Sequence, residues 1–361
     1  MTESVNAWST AATAGPAAAD SVRLPHPRDL PSCMEDLAAG RSAANIDGSI
    51  FEAFNNPTSR ALLRRRVLEV LEDRTTRGNA LPSQGSPSRV VAGTRQAESE
   101  HQEHDRYFAV IRGDGEAAVG FVAGLVLAHL SAYEDCLRMG LTLLDDADWA
   151  LLFAGLQTVL AAPYGAAPPL RPSLSGWGDE YDPARRWLVG HQLFFALIQG
   201  AVVGLNCFAS AAEKGSSAEA ARGLAMAAAF LRSSASAMKF TSDFSPEDYE
   251  LTVRPAMAPP IVRAGFSGLQ TRDHAHLVKL FGSLTPVLRS AVASEGHRDF
   301  VDALASAYAA HELICARFRG DILPSLRMAA ASSGRTRRTG VEVIRELLHA
   351  RLALIDPPSD R

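Results

Sequence analysis

Long helical runs rich in small residues constrain the fold of this chain more than any other feature. The segments 187–212 and 218–240 combine apolar side chains with many Ala, Gly and Ser residues on several faces. Small side chains let two helix backbones approach closely, so we expect these segments to form the wall of the core. Polar side chains interrupt the first segment, which favours a buried core helix over a membrane span. They are His191, Gln192, Gln199 and Asn206.

Helical periodicity recurs along most of the remaining chain, and we find no convincing strand and no internal repeat. With 47% hydrophobic, 21% charged and 7% aromatic residues, the composition is typical of a mostly helical globule. We therefore predict an all-α helical bundle, with a capping box at Thr339 and Glu342 opening the last helix. The predicted helices are 51–75, 116–139, 148–161, 187–212, 218–240, 249–254, 273–288 and 300–318.

The domain organisation follows from where periodicity is missing. Residues 1–24 are rich in Ala, Ser and Thr, so we expect a loose N-terminus. We expect a small N-terminal region over 25–112, which includes a long polar loop at 78–101. The helical catalytic domain then occupies 113–361, with a proline-rich surface crossover at 163–182.

Charge and cysteine usage exclude several functions. A formal net charge of −4 provides no general attraction for nucleic acid or acidic lipid. The four cysteines show no Cys-x-x-Cys spacing, so neither a zinc ribbon nor a disulfide scaffold is indicated. We found no signal-peptide pattern and expect a cytoplasmic protein without a membrane span. The sequence leaves the oligomeric state open, with a homo-oligomer as one option.

The segment 300–318 carries the most informative pair of side chains. On a helical wheel, His311 and Cys315 lie on the same stripe as Phe300 and Tyr308. Residues four apart lie one above the other, so the imidazole and the thiol point into the same space. If the imidazole binds haem iron, the thiol can reach a vinyl group at the porphyrin edge and form a thioether. The alternative is a packed core histidine beside an inert buried thiol.

Two clusters of cationic residues are candidates for binding anions. Arg254 ends a short helix before Pro255 and can form a bidentate pair with a substrate carboxylate. The loop 332–338 combines hydroxyls, a glycine and three arginines, which suits porphyrin propionates or an amino-acid carboxylate. The alternatives are an arginine tied to a nearby acid and a solvated surface loop.

The other histidines give weaker signals. His274 and His276 stand two apart and face different sides of a helix, so at most one can address the same site as His311. The segment 101–105 holds two imidazoles and a carboxylate, but it lacks the His-Glu-x-x-His pattern, and we interpret it as a solvated helix start. No phosphate loop, dinucleotide fingerprint or nucleophile elbow is present.

The second half of the chain resembles the haem-dependent aromatic oxygenases, which include indoleamine and tryptophan dioxygenases. The resemblance spans about 185–355. It rests on the segments 240–255, 265–268, 307–319 and the Ser-Gly-Arg-Thr loop at 333–336. One departure matters: where the dioxygenases place their proximal histidine, this chain has Ile322. A branch that hydroxylates 3-methyl-L-tyrosine in saframycin-type biosynthesis instead attaches haem through His-x-x-x-Cys, and His311 and Cys315 match it.

The resemblance implies an indoleamine-dioxygenase-like fold and a specific site. His311 would be the proximal iron ligand and Cys315 the single thioether anchor. His274, with His276 as its rival, would be a mobile second ligand that must move away before peroxide binds, and then shuttle a proton. Arg254 matches the position that receives the substrate carboxylate, and Thr336 matches the hydroxyl of the C-terminal loop.

The implied activity is a peroxygenase-type oxidoreduction in the biosynthesis of tetrahydroisoquinoline antibiotics. It converts 3-methyl-L-tyrosine into 3-hydroxy-5-methyl-L-tyrosine with hydrogen peroxide. Two alternatives stay open at this point. One is another haem enzyme, such as a tyrosine hydroxylase or a tryptophan dioxygenase, and the other is a haemless helical binding or regulatory protein.

Overall fold

The computed structural model describes residues 21–78, 92–160, 168–172, 178, 180–258, 261–262, 271–291, 294–324 and 338–356. It confirms the predicted all-α fold, because helices dominate these ranges. Three successive short segments, Pro246–Asp248, the π-helical Tyr249–Val253 and Arg254–Ala256, are together called α9. The other helices are α1 (Met34–Ala44), α2 (Ile50–Asn55), α3 (Pro57–Gly78), α4 (Ala92–Tyr107), α5 (Ala117–Met139), α6 (Asp146–Val159), α7 (Pro183–Glu213), α8 (Ser217–Thr241), α10 (Arg272–Ala291), α11 (Glu295–Arg317) and α12 (Gly340–Ile355).

The two long helices α7 and α8 pack against each other through glycines, as the small residues predicted. A Cβ atom added to Gly204 would lie 2.5 Å from the backbone nitrogen of Ala227. A Cβ atom added to Gly223 would lie 2.5 Å from the backbone nitrogen of Phe208. Both distances are shorter than van der Waals contact, so the two backbones meet only where side chains are absent.

Local side-chain caps fix where the helices around the core begin. Asp182 accepts hydrogen bonds from the first backbone N–H groups of α7, and Pro183 supplies the fixed φ of the first turn. Ser294 accepts from the backbone nitrogen of His297 at 3.1 Å and starts α11. The capping box between Thr339 and Glu342 is present at α12, as predicted.

The prediction that the chain has no strand is wrong. Strands β1 (Val22–Pro25) and β2 (Val110–Gly113) form a parallel two-stranded sheet in which Val22 pairs with Val110. Part of β1 falls in the N-terminus that we expected to be loose, yet Val22 and Leu24 are buried. Four-residue strands are too short to show a period of two, and their pairing partners lie far apart in the sequence.

Three further boundaries correct the predictions. The polar segment expected as a loop at 78–101 is helical from Ala92 onward, because its polar side chains lie on a helix exposed to solvent. The helix expected at 51–75 is interrupted between α2 and α3, where Pro57 opens the second helix. The short helix expected to stop before Pro255 continues, because Pro255 occupies the first turn of the next helical segment.

A buried ionic cluster, made of Asp135, Arg186 and Asp243, joins α5, α7 and the end of α8. All three side chains are fully buried. Arg186 donates to Asp135 and to the carbonyl of Gly140 at 2.8 Å, and its Nη1 lies 3.6 Å from Oδ2 of Asp243. Asp243 also accepts from the backbone nitrogen of Thr142 at 2.7 Å. The cluster therefore ties the loop after α5 to the core helices.

Two helices among the described residues, α5 and α7, are long and apolar enough to cross a membrane by length and composition alone. In each, most of the apolar window is buried inside the protein, 72% and 78% respectively. Both values are typical of core helices.

Candidate functional site

A mostly apolar cavity lies between α7, α8, α10 and α11. It is partly open to solvent, and most of its wall is apolar. We call it the histidine cavity, because three of its wall residues are His191, His274 and His311, each on a different helix. Its other wall residues are Trp187, Phe194, Ile198, Leu231, Ser234, Met238, Thr241, Leu277, Phe281, Leu304, Ala307, Tyr308 and Ile314.

His311 faces this cavity from α11, as the helical wheel predicted. Its ring is partly accessible because the cavity is open beside it, but protein surrounds it on the other sides. Burial lowers the pKa of His311 to about 4, so the imidazole is neutral near pH 7 and carries a lone pair. A neutral imidazole is the form that binds a metal.

His274 faces the same cavity from the start of α10, and its own helix is firmly anchored there. The neighbouring Asp273 is fully buried and accepts hydrogen bonds from Arg112 at 3.0 and 2.7 Å, and from Gln199 at 2.8 Å. Its rival, His276, is half-buried and is not among the wall residues of the cavity. The geometry thus separates two histidines that the sequence left as alternatives.

Sequence reasoning missed His191, which we had noted only as an interruption of an apolar run. Its Nδ1 lies 2.8 Å from the backbone carbonyl of Trp187, one turn earlier on α7. Its ring stacks on Phe108 with 4.4 Å between centroids and an angle of 18°. Burial, helped by the nearby His311 and opposed by the hydrogen bond to Trp187, lowers the pKa of His191 to about 3. A lone imidazole in an apolar helix was the available signal, but the sequence could not show which helices it faces.

Cys315 lies one turn after His311, beside the cavity and not among the residues that form its wall. It is half-buried, and burial raises the pKa of its thiol to about 11. Two glycines pack closely against it: a Cβ atom added to Gly340 would lie 3.5 Å from its Sγ, and one added to Gly320 would lie 3.2 Å from its Cβ. All four cysteines of the chain are free.

Arg254 lies in α9, next to a stack of aromatic rings and outside the cavity wall. Its Nη1 is 3.5 Å from Oε1 of Glu250, so the predicted alternative of a nearby acidic partner is present. The same helix carries Tyr249, whose ring stacks on Phe318 at 4.2 Å and 8° and lies 5.8 Å from Trp187 in the cavity wall. Burial raises the pKa of Tyr249 to about 12, against the opposite effect of Arg254. One aromatic side chain thus links α9 to the cavity.

Two of the predicted features lie outside the described residues: Thr336 and the glycine turn at 265–268. In the loop 332–338, the structure describes Arg338, which pairs with Glu346 of α12. These assignments stay predictions.

The metal alternative at 101–105 has no support from the described residues, none of which form a group of three or more metal-ligating side chains. This segment is the end of α4, and the prediction of a solvated helix start is wrong. His104 is buried, with 3% of its surface exposed. Asp105 pairs with Arg112 at 2.6 Å and with Arg272 at 3.2 Å, so it helps to anchor the start of α10.

Comparison with known proteins identifies the class of this protein. Residues 23–305 match the family model described as SfmD 3-methyl-L-tyrosine peroxygenase. The 3-methyl-L-tyrosine peroxygenase of Streptomyces lavendulae is 30% identical over 344 residues, which cover 92% of this chain and 90% of that protein. The crystal structure of reduced SfmD superposes with a TM-score of 0.57 at 26% identity, covering 82% of this chain and 98% of that one.

The helical fold and these matches define an oxidoreductase of the peroxygenase class. Within that class, the chain belongs to the SfmD 3-methyl-L-tyrosine peroxygenase family. The family match ends at residue 305 and therefore does not reach His311 or Cys315. The cavity locates His311, and the helix places Cys315 one turn after it.

Proposed function

We propose that this protein hydroxylates 3-methyl-L-tyrosine to 3-hydroxy-5-methyl-L-tyrosine with hydrogen peroxide, using a haem held in the histidine cavity. The observation that carries the proposal is that His311 and His274, from two different helices, face one apolar cavity in a chain of this family. The alternatives of a tryptophan dioxygenase and a haemless binding protein gain no such support.

The residues of the cavity fit a haem. His311 is neutral and on the wall, so it would bind the iron. Aromatic and aliphatic side chains on the remaining wall suit the apolar faces of a porphyrin. When bound, the haem supplies the redox chemistry that activates hydrogen peroxide. The protein supplies an environment that excludes water and holds the aromatic substrate.

His274 would hold the same iron from α10. Its helix start is anchored through Asp273 to Arg112 and Gln199. This anchor fixes the backbone next to the imidazole, so a movement of His274 would be confined to its side chain. Once displaced, the imidazole of His274 can pass a proton between the oxygens of peroxide.

Cys315 would supply a single thioether link to the haem. Its position one turn after His311 on the same helix supports this. The substrate carboxylate would bind Arg254. The contact of Arg254 with Glu250 at 3.5 Å is loose, and Oε1 of Glu250 accepts no hydrogen bond in the described structure, so donors of Arg254 are available for a better acceptor. Thr336 would complete the substrate site.

The setting of the reaction is part of the same proposal. We infer a cytoplasmic enzyme of tetrahydroisoquinoline antibiotic biosynthesis, with two small-molecule partners, an aromatic amino acid and hydrogen peroxide. A homo-oligomer is compatible with the proposal and is tested by light scattering of the purified protein.

An intact mass of the denatured protein, measured beside its visible spectrum, tests the cofactor assignment. We expect a mass increased by one haem that maps to the Cys315 peptide, and we expect Cys315→Ser to bind haem that acidic solvent extracts. His311→Ala should shift the Soret band, because one iron ligand is lost, whereas His349→Ala, on the exposed face of α12, should leave its position unchanged. Wild-type protein made with ample haem but lacking a Soret band would contradict the proposal, as would a covalent adduct retained in Cys315→Ser.

A further inference from the structure

Two charged residues at the start of α10, Arg272 and Asp273, directly precede His274 in the chain. Asp273 is fully buried, and the side chain of Arg272 is only 11% exposed. Successive residues of a helix point about 100° apart, so the two side chains leave α10 in different directions. The contacts of these two residues therefore hold the backbone beside His274 on two sides.

The inner contacts of α10 are those of Asp273. Arg112 of β2 donates to both oxygens of this carboxylate, at 3.0 and 2.7 Å, and Gln199 of α7 donates to Oδ1 at 2.8 Å. Both donors also reach the backbone carbonyl of Pro25 in β1, at 3.3 and 2.8 Å. A buried bidentate pair fixes distance and angle together, so these bonds set the position of Asp273 relative to both strands.

The outer contacts of α10 are those of Arg272 with α4. Its two terminal nitrogens donate to the two oxygens of Glu98 at 2.8 and 2.7 Å, and its Nε donates to Asp105 at 3.2 Å. Asp105 also accepts from Arg112 at 2.6 Å, so it joins the outer contacts to the inner ones. The α10 clamp is our name for the five charged residues of this network, Glu98, Asp105, Arg112, Arg272 and Asp273.

The α10 clamp connects the histidine cavity to a part of the molecule that lies outside its wall. The wall residues are drawn from α7, α8, α10 and α11, between residues 187 and 314. Three clamp residues, Glu98, Asp105 and Arg112, instead belong to α4 and β2 of the N-terminal region. The N-terminal region can therefore influence the cavity through the start of α10.

We propose that the α10 clamp positions His274 and sets the balance between His274 bound to the haem iron and His274 displaced from it. This inference rests on the proposed function, in which His274 is a mobile second ligand of the iron. A ligand atom must return to one point in space, and a fixed backbone limits the places that the displaced side chain can occupy. A loosened backbone adds conformational entropy to the displaced state and favours it. Arg112 and Arg272 are thus positioning residues.

Cyanide binding to the ferric holoenzyme measures this balance. Cyanide can take the sixth position on the iron only after His274 has left it. Its apparent dissociation constant is the intrinsic constant divided by the fraction of the protein in which His274 is displaced. A loosened clamp therefore strengthens cyanide binding, and the shift of the Soret band during the titration reports it.

Variants of the clamp should strengthen cyanide binding in a definite order. Arg112→Met removes the cation shared by Asp105 and Asp273, so the apparent dissociation constant should fall about tenfold. Arg272→Gln removes only the outer contacts and should lower it about threefold. The milder variant keeps the inference testable if Arg112→Met does not fold. His274→Ala gives the limit in which no second histidine competes with cyanide.

Arg64→Met is the matched control. Arg64 is a partly buried arginine that also joins the N-terminal region to the core, but its partners Glu134 and Ser131, at 2.8 and 3.0 Å, lie on α5 and not on α10. Its cyanide affinity should stay within about twofold of the wild type. Unchanged cyanide affinity in the clamp variants that fold overturns the inference, and so does an equal gain in Arg64→Met.

The failure of this inference can be told apart from the failure of the proposed function. Wild-type protein that binds no haem contradicts the proposed function. Cyanide affinity that is the same in His274→Ala as in the wild type contradicts the assignment of His274 as an iron ligand, and the inference falls with it. Tighter cyanide binding in His274→Ala, without any gain in the clamp variants, contradicts the role of the clamp alone.

Discussion

The ionic cluster and the histidine cavity both bury titratable side chains, but they do so in opposite ways. Asp135 and Asp243 both lie against the guanidinium of Arg186, which opposes the rise that burial causes in the pKa of Asp135. In the cavity, burial keeps His191 and His311 neutral, because apolar rings surround them. Charges that are paired hold helices together, whereas neutral imidazoles keep lone pairs that can bind a ligand.

One helix, α7, contributes side chains to both the ionic cluster and the histidine cavity. Arg186 and His191 lie little more than one turn apart on α7, one in each region. The ionic cluster fixes α7 against α5 and the end of α8, whereas the imidazole of His191 contacts the carbonyl of Trp187 and the ring of Phe108. Stability and ligand binding are thus assigned to different turns of the same helix.

The largest expected effect comes from breaking the ionic cluster. Arg186→Met leaves two buried carboxylates without their cation, so the free energy of unfolding should fall by about 3–5 kcal/mol. Denaturant titration measures this loss. Arg171→Met removes a partly exposed partner of Asp146 and should cost about 1 kcal/mol or less. Equal losses in the two variants would contradict the distinction between buried and exposed pairs.

The pH dependence of the free energy of unfolding tests whether buried imidazoles stay neutral. His129 is the simplest example, because it lies outside the histidine cavity. It is fully buried on α5, and burial lowers its pKa to about 4 from an ordinary 6.5. Between these values the unfolded chain binds more protons than the folded one, so the free energy of unfolding falls as the pH falls from 6.5 to 4. The contribution of this one group is about 3 kcal/mol.

Two variants isolate that contribution. His129→Gln should flatten the dependence of the free energy of unfolding on pH over this range. His349→Gln, on the exposed face of α12, should leave the dependence as in the wild type. A pH dependence unchanged in His129→Gln would show that this imidazole does not resist protonation in the folded state.

The smallest expected effect concerns the substrate carboxylate. Arg254→Met should raise the KM for the amino acid about tenfold, because one charge-assisted hydrogen bond is lost. Glu250→Gln removes the competing acid and should not raise KM. The decarboxylated amine should bind the wild type and Arg254→Met equally well. Discrimination against the amine that persists in Arg254→Met would contradict the role of Arg254 as the carboxylate partner.

Much of the fold could be predicted because the periodicity of a long helix is visible within its own segment of the sequence. The segments 187–212 and 218–240 correspond to α7 and α8, and the capping box of α12 is where its sequence signal indicated. The short strands, and the helix that begins at Ala92, were missed. Strand pairing joins residues nearly ninety positions apart, and a polar helix exposed to solvent lacks the apolar stripe on which the prediction depended.

For the site, the sequence could predict only how residues of the same helix are placed relative to each other. The spacing of His311 and Cys315 is a local property, and α11 places the thiol one turn after the imidazole. The choice of His274 over His276 depended on how α10 packs against α7. The inclusion of His191 depended on which wall of the cavity α7 provides.

By itself, the sequence determined that this chain is helical, where its long helices run and that one of them carries an imidazole four residues before a thiol. These properties depend on periodicity and capping, which act within a few turns. Only the tertiary structure decided that three histidines face one cavity, that Asp135 and Asp243 share Arg186, and that Cys315 lies beside the cavity wall. Such contacts join distant segments, and they are set by how helices pack and not by any local pattern.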